Sequence, residues 1–98
     1  MPLYVSATIT AKAESIELVR QELINFVAPT LKEDGCVQYL LHQTVENPAQ
    51  FIFFEEWESQ SHLDAHLESD HIKQGQVAMA GHLDEVVVSP MLRVDTTE

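Results

Sequence analysis

The stretch from Phe51 to His71, FIFFEEWESQSHLDAHLESDH, concentrates the side chains of this chain that could do chemistry. It holds the only tryptophan, Trp57, the adjacent carboxylates Glu55 and Glu56, and three of the five histidines, His62, His66 and His71. Imidazoles exchange protons near neutral pH. A carboxylate becomes a useful base when burial raises its pKa. An indole offers a flat apolar wall with a single N–H donor. Together these types suit binding an aromatic molecule and moving one of its protons.

Spacing sorts the candidates. Glu55 and Glu56 are neighbours on a strand, so they point to opposite faces and cannot form a close acid–base pair. One is expected in solvent, the other toward a pocket or a partner subunit, with a structural role preferred over a catalytic one. His62 and His66 stand at i and i+4 on one helical face. Their sequence, HLDAH, lacks the glutamate of HExxH, and a third ligand would have to come from His71 or His82 beyond a break, so no metal site is expected.

His66 lies between Leu63 and Leu67 and leans toward the buried stripe. His71 lies at a helix start, where the positive helix end favours a neutral ring. Both are candidate catalytic residues, able to hydrogen-bond a phenol or quinone oxygen or to shuttle a proton. The competing reading is a histidine at the core edge, satisfied by backbone. Trp57 either fills the corner between sheet and helix or forms the wall of an aromatic pocket. With Tyr39 and Phe53 it makes up the candidate substrate-binding set, although core packing beside Val37 and Leu41 is the default for Tyr39. Cys36 has no basic neighbour to lower its pKa and reads as an inert thiol.

The elements that must position these residues follow from periodicity. Leu3 to Ala11 alternates apolar and polar residues and reads as a strand. Ser15 is placed to cap a helix bearing Ile16, Val19, Leu23, Phe26 and Val27 at helical spacing. Pro29 bends or ends that helix, and Gly35 stops it. Val37 to Thr44 and Phe51 to Trp57 read as a hairpin around the turn residues of ENPAQ. Ser59 caps a second helix with Leu63 and Leu67 on its buried side. After a break at Ser69–His71, a further helical piece runs from Ile72 to Ala80. Asp84 to Asp95 is the last strand, and residues 96–98 a frayed tail.

The order β-α-β-β-α-β, with right-handed crossovers around a hairpin, gives an α+β ferredoxin-like fold: a four-stranded antiparallel sheet with helices on one face. Either Val86 and Val88 or Val87 must face the helix-free side, and either Phe51 and Phe53 or Ile52 and Phe54. An apolar sheet face of that size marks an interface, so a homodimer with its sheets face to face is expected.

The 98 residues suffice for one domain, with no repeats or linkers. Net charge is −11 and the five basic residues are scattered, which argues against nucleic acid and anionic membranes as partners. With three glycines there is no phosphate-binding glycine loop. A lone cysteine, no apolar run of membrane length and no leader-like start point to the cytoplasm.

EDGCVQYLLHQ and FIFFEEWESQSHLDAHLESDHIK resemble the antibiotic biosynthesis monooxygenase family, most specifically in EEWES followed by LDAHLESDH. The resemblance covers nearly the whole chain and is closest to the small quinol monooxygenase type. It implies a dimeric α+β barrel with a pocket between sheet and helices in each subunit. It also implies oxidation of a quinol or polyphenol by O₂ without metal, flavin or haem, the deprotonated substrate supplying the electrons. Trp57 would then be a pocket wall, and His66 and His71 would handle the phenolic proton. Haem-degrading relatives carry an asparagine where this chain has Ala7 and a haem-ligating histidine where it has Gln76, so haem degradation is not expected. Two other readings remain: an isomerase on the same scaffold, as in relatives acting on a phosphorylated sugar derivative (mildly disfavoured by the few basic residues), and a non-catalytic dimeric binding or stress-response protein.

Overall fold

A computed structural model describes residues 2–97. Strand β1 (Leu3–Ala11) leads through a short 3₁₀ turn (Ala13–Ser15) into helix α1 (Ile16–Leu31). The hairpin β2 (Cys36–Gln43) and β3 (Gln50–Trp57) follows, then helices α2 (Gln60–Leu67) and α3 (Asp70–Met79), and strand β4 (Leu83–Met91). The strands form one antiparallel sheet in the order β2-β3-β1-β4. This is the expected ferredoxin-like topology, and residues 92–97 add no regular element. The tail expected at 96–98 includes Glu98, which lies outside the described residues.

Alternation builds the core. Leu3, Val5, Ala7, Ile9 and Ala11 are buried, and so are Phe51, Phe53, Glu55 and Trp57. Pairing of Leu3 with Trp57, Val5 with Glu55 and Ala7 with Phe53 puts both sets on the helix-covered face. Pairing of Ala7 with Val88 and Ile9 with Val86 fixes the parity of β4: Val86 and Val88 lie on the helix side, Val87 on the other. Even so, Val86 and Val88 are 53% and 44% exposed, because the helices stand over the rest of the sheet. The open face carries Leu40, Ile52, Phe54 and Val87, with Tyr4 stacked on Phe54 at 6.1 Å.

Four local expectations are corrected. Ser15 does not cap α1 through its side chain; the preceding 3₁₀ turn leaves its backbone non-extended (φ −120°, ψ 11°), and its hydroxyl bonds His82 Nδ1 at 2.7 Å. α1 continues two residues past Pro29, so near the helix end the proline costs one i→i−4 hydrogen bond without ending the helix. Val37 is the extra residue of a bulge between Cys36 and Gln38 and is half exposed, so it does not share Tyr39's buried face. On α2 the buried pair is Leu63 and His66, whereas Leu67 is 41% exposed at the edge of the helix contact. Ser59 does cap α2, its hydroxyl accepting the His62 N–H.

Two glycines hold these elements close. Gly35, at φ +82°, turns the chain from α1 into β2, and a Cβ there would lie 2.2 Å from the His62 ring. Gly75 lets α3 approach α1, since a Cβ would meet Phe26 at 2.1 Å.

Candidate active site

Between the sheet and the helices lies a cavity of about 260 Å³. Its floor is Ala7, Tyr39, Phe53 and Glu55; α1 contributes Phe26, α2 contributes Leu63 and His66, and α3 contributes Gln76 and Met79. The exposed lining residues Leu67, Val86 and Val88 mark its mouth, beside the uncovered β4. The walls are mainly apolar, and the buried polar groups among them are Glu55 and His66.

His66 is almost entirely buried. Its Nδ1 lies 2.6 Å from Glu33 Oε2, in the turn after α1. Its ring sits 4.7 Å from Trp57 and edge-on to Tyr39 at 5.4 Å. Among the described residues no buried side-chain nitrogen or oxygen lacks a hydrogen-bond partner. Among the described residues His66 Nε2 has no hydrogen-bond partner, and it is the nitrogen left open on the cavity side. Burial pushes the His66 pKa down, against the upward pull of the Glu33 carboxylate, and so favours a neutral ring.

Glu55 comes to the same cavity from β3. One carboxylate oxygen accepts the Trp57 Nε1–H at 2.9 Å. Burial raises its pKa to about 7; the Trp57 bond opposes the rise and the Glu33 charge adds to it. A carboxyl poised there can take or give a proton at neutral pH. Tyr39 stacks on Phe53 at 4.4 Å, and burial, followed by the Glu55 charge, drives its hydroxyl well above the usual range, so it stays protonated.

The five residues singled out from the sequence therefore separate. His66, Tyr39 and Phe53 line the cavity. Trp57 does not: the strand's alternation points it into the helix-covered core, where it is completely buried behind Glu55 and His66. Its N–H bonds Glu55 and its ring packs against His66, so it lies behind the cavity rather than on its wall. His71 is also one layer away. It stands at the start of α3, but its Nε2 hydrogen-bonds Thr30 Oγ1 at 2.9 Å and lies 3.2 Å from Glu33 Oε2 rather than reaching the cavity.

Glu33 is the functional candidate that sequence reasoning missed, and Glu55 is one that it weighed and set aside. Glu55 carried a signal, because it shares the parity of Phe51, Phe53 and Trp57, a lone carboxylate on an apolar face. Glu33 sits in a turn with no periodicity, and only the docking of α2 and α3 onto α1 brings it to His66.

Among the described residues, Glu33, His66 and His71 are also the group with metal-ligand character, their donor atoms lying within 4.8 Å of one another. Two of those atoms, His66 Nδ1 and Glu33 Oε2, are hydrogen-bonded to each other, and His71 Nε2 is bonded to Thr30 Oγ1. His62, the other half of the HxxxH pair, turns instead to Ser59 Oγ at 2.7 Å and Asp34 at 3.5 Å. Cys36 is part-buried, with its pKa raised to about 11 by burial and by Glu33 and Glu55, which suits an inert thiol.

A ferredoxin-like sheet with a cavity beneath its helices is the architecture of a defined class. The chain belongs to the antibiotic biosynthesis monooxygenase family, whose profile matches residues 2–78. It is similar to Probable quinol monooxygenase YgiN of Escherichia coli, with 30% identity over 79 residues, covering 71% of this chain and 75% of YgiN. Protein sll1783 of Synechocystis is 26% identical over 73 residues; the match covers 74% of this chain but only half of that longer protein. Among solved structures, PA3566 of Pseudomonas aeruginosa superposes with a TM-score of 0.91 at 32% identity, covering 96% of this chain and 95% of PA3566.

Proposed function

We propose that this chain is a cofactor-independent monooxygenase that oxidises a small quinol or polyphenol with O₂. The observation that carries the reading is an apolar cavity ending on two buried proton-accepting groups, His66 and Glu55. Family membership is consistent with it, and the name of the YgiN relative supports a quinol as substrate. A volume of about 260 Å³ lies just below the usual small-molecule range of roughly 300 Å³ upward, which suits one or two aromatic rings.

In this account the aromatic stacks in the apolar cavity with an O–H toward His66 Nε2. Proton transfer leaves an electron-rich phenolate, which reduces O₂. One oxygen atom enters the ring and the other leaves as water; the quinol supplies all four electrons and emerges as a hydroxyquinone. Glu55 accepts or returns the second proton. The apolar walls exclude water that would stabilise the phenolate and quench its reactivity. Trp57 and His71 act from behind the cavity.

The subunits pair through the open sheet face of Leu40, Phe54 and Val87. The single cysteine suits a reducing cytoplasm.

Oxygen uptake with 1,4-hydroquinone and 1,4-naphthohydroquinone tests the reading. We expect wild-type turnover, and a fall of about 10²-fold or more in His66→Ala, the usual scale for a lost general base. Turnover without O₂ consumption would replace it with the isomerase reading. Absence of any turnover, with His66→Ala affecting stability alone, would replace it with the non-catalytic one.

A further inference from the structure

We propose that Glu33 is the positioning residue of this site: it holds His66 in the Nδ1–H form, so that Nε2 is the proton acceptor facing the cavity. The inference rests on the activity proposed above for its catalytic consequence, but its geometric core stands apart from it.

A neutral imidazole has one N–H and one lone pair, and its surroundings choose which nitrogen bears the proton. A carboxylate oxygen can only accept. At 2.6 Å from Glu33 Oε2, His66 Nδ1 must therefore be the donor. The lone pair is left on Nε2, the nitrogen with no partner among the described residues. Free histidine prefers the opposite form, so the protein must impose this one.

The carboxylate is itself held. His71 Nε2 lies 3.2 Å from the same oxygen and 2.9 Å from the Thr30 hydroxyl, so two imidazoles from two helices converge on Glu33 Oε2. Trp57 and Tyr39 pack the His66 ring and oppose a flip that would exchange its nitrogens. Glu33 is only 18% exposed, so little water screens it from its partners.

The consequence for the reaction is a balanced proton step. The substrate O–H bond breaks, its proton bonds to Nε2, and the electron pair stays on the phenolate. His66 becomes an imidazolium that keeps its Nδ1–H on Glu33, which supplies the counter-charge in a site otherwise hostile to a buried cation. His71 and Thr30 do not touch substrate; they keep Glu33 in register.

The test is ¹⁵N-detected NMR of the neutral histidines, with His66 assigned by loss of its signals in His66→Gln. The wild type should show His66 protonated on Nδ1. Glu33→Ala should shift it toward the Nε2–H form, and Glu33→Gln, which keeps the side-chain shape should the alanine variant fail to fold, should give a mixture. With 1,4-naphthohydroquinone, Glu33→Gln should lower kcat by about tenfold or more, a part of the roughly 10²-fold or more that losing the base itself costs, while KM changes little. Wild-type His66 protonated on Nε2, or a tautomer unchanged by both substitutions, would overturn the inference. If no hydroquinone is oxidised, the activity reading falls and the tautomer comparison still decides this one.

Discussion

Glu55 is a carboxyl whose environment works against its charge. Its pKa is about 7 in the folded chain, against 4.5 for the ordinary side chain. Between these values the folded state holds more protons than the unfolded state. The associated stability is fully present below pH 4.5 and is lost as pH rises through 7, a difference of about 3 kcal/mol by pH 8. Glu55→Gln removes the ionisable group while its carbonyl can still accept the Trp57 N–H. Thermal unfolding should therefore show Glu55→Gln more stable than wild type at pH 8, with the gap closing by pH 4.5. Equal melting temperatures at both pH values would mean that the carboxyl is solvated. The alternation of FIFFEEW made it readable that one of the two glutamates points inward. Which of Glu55 and Glu56 was the inward one required the pairing with β1, because adjacent glutamates satisfy either register equally well.

At the scale of elements, the order of strands and helices was legible because each has a clean period: two for Leu3–Ala11, and helical spacing for Val19, Leu23 and Phe26. A break between two helical pieces was legible too, although it falls at Glu68 and Ser69, ahead of the expected Ser69–His71. What the pattern could not supply was the helix rotation that sets His66 rather than Leu67 against the sheet, because hydrophobicity alone ranks leucine as the buried residue. A histidine can be buried there because Glu33 hydrogen-bonds its Nδ1, and Glu33 arrives from a distant turn. The closeness of α1 and α3 has a similar origin. Gly75 reads as a weak point in a helix, yet Phe26 lies where its side chain would be. Gly75→Ala should push α3 away from α1 and destabilise the fold by about 1–3 kcal/mol, the usual scale for overpacking, despite alanine's better helix propensity. Chemical denaturation measures this; a neutral or stabilising effect would show that Phe26 moves aside freely.

At the scale of the whole molecule, the sheet is covered on one side only. Leu40, Phe54 and Val87 face outward on the other, with Leu40 49% exposed. Face-to-face pairing of two such sheets would remove this surface from water. Phe54→Glu should therefore yield a folded monomer by sedimentation velocity where the wild type sediments as a dimer. A wild type that is already monomeric at micromolar concentration would contradict that assembly. The uncovered edge at β4 also leaves the cavity mouth accessible to a small molecule without the helices separating.

The central claim, that this cavity inserts one atom of O₂ into an aromatic, is tested most directly by isotope labelling. Wild-type protein turning over 1,4-naphthohydroquinone under ¹⁸O₂ should give a hydroxyquinone carrying a single ¹⁸O atom, with the other recovered in water, and His66→Ala should lose this activity. A product without ¹⁸O, or one formed equally by His66→Ala, would contradict the account.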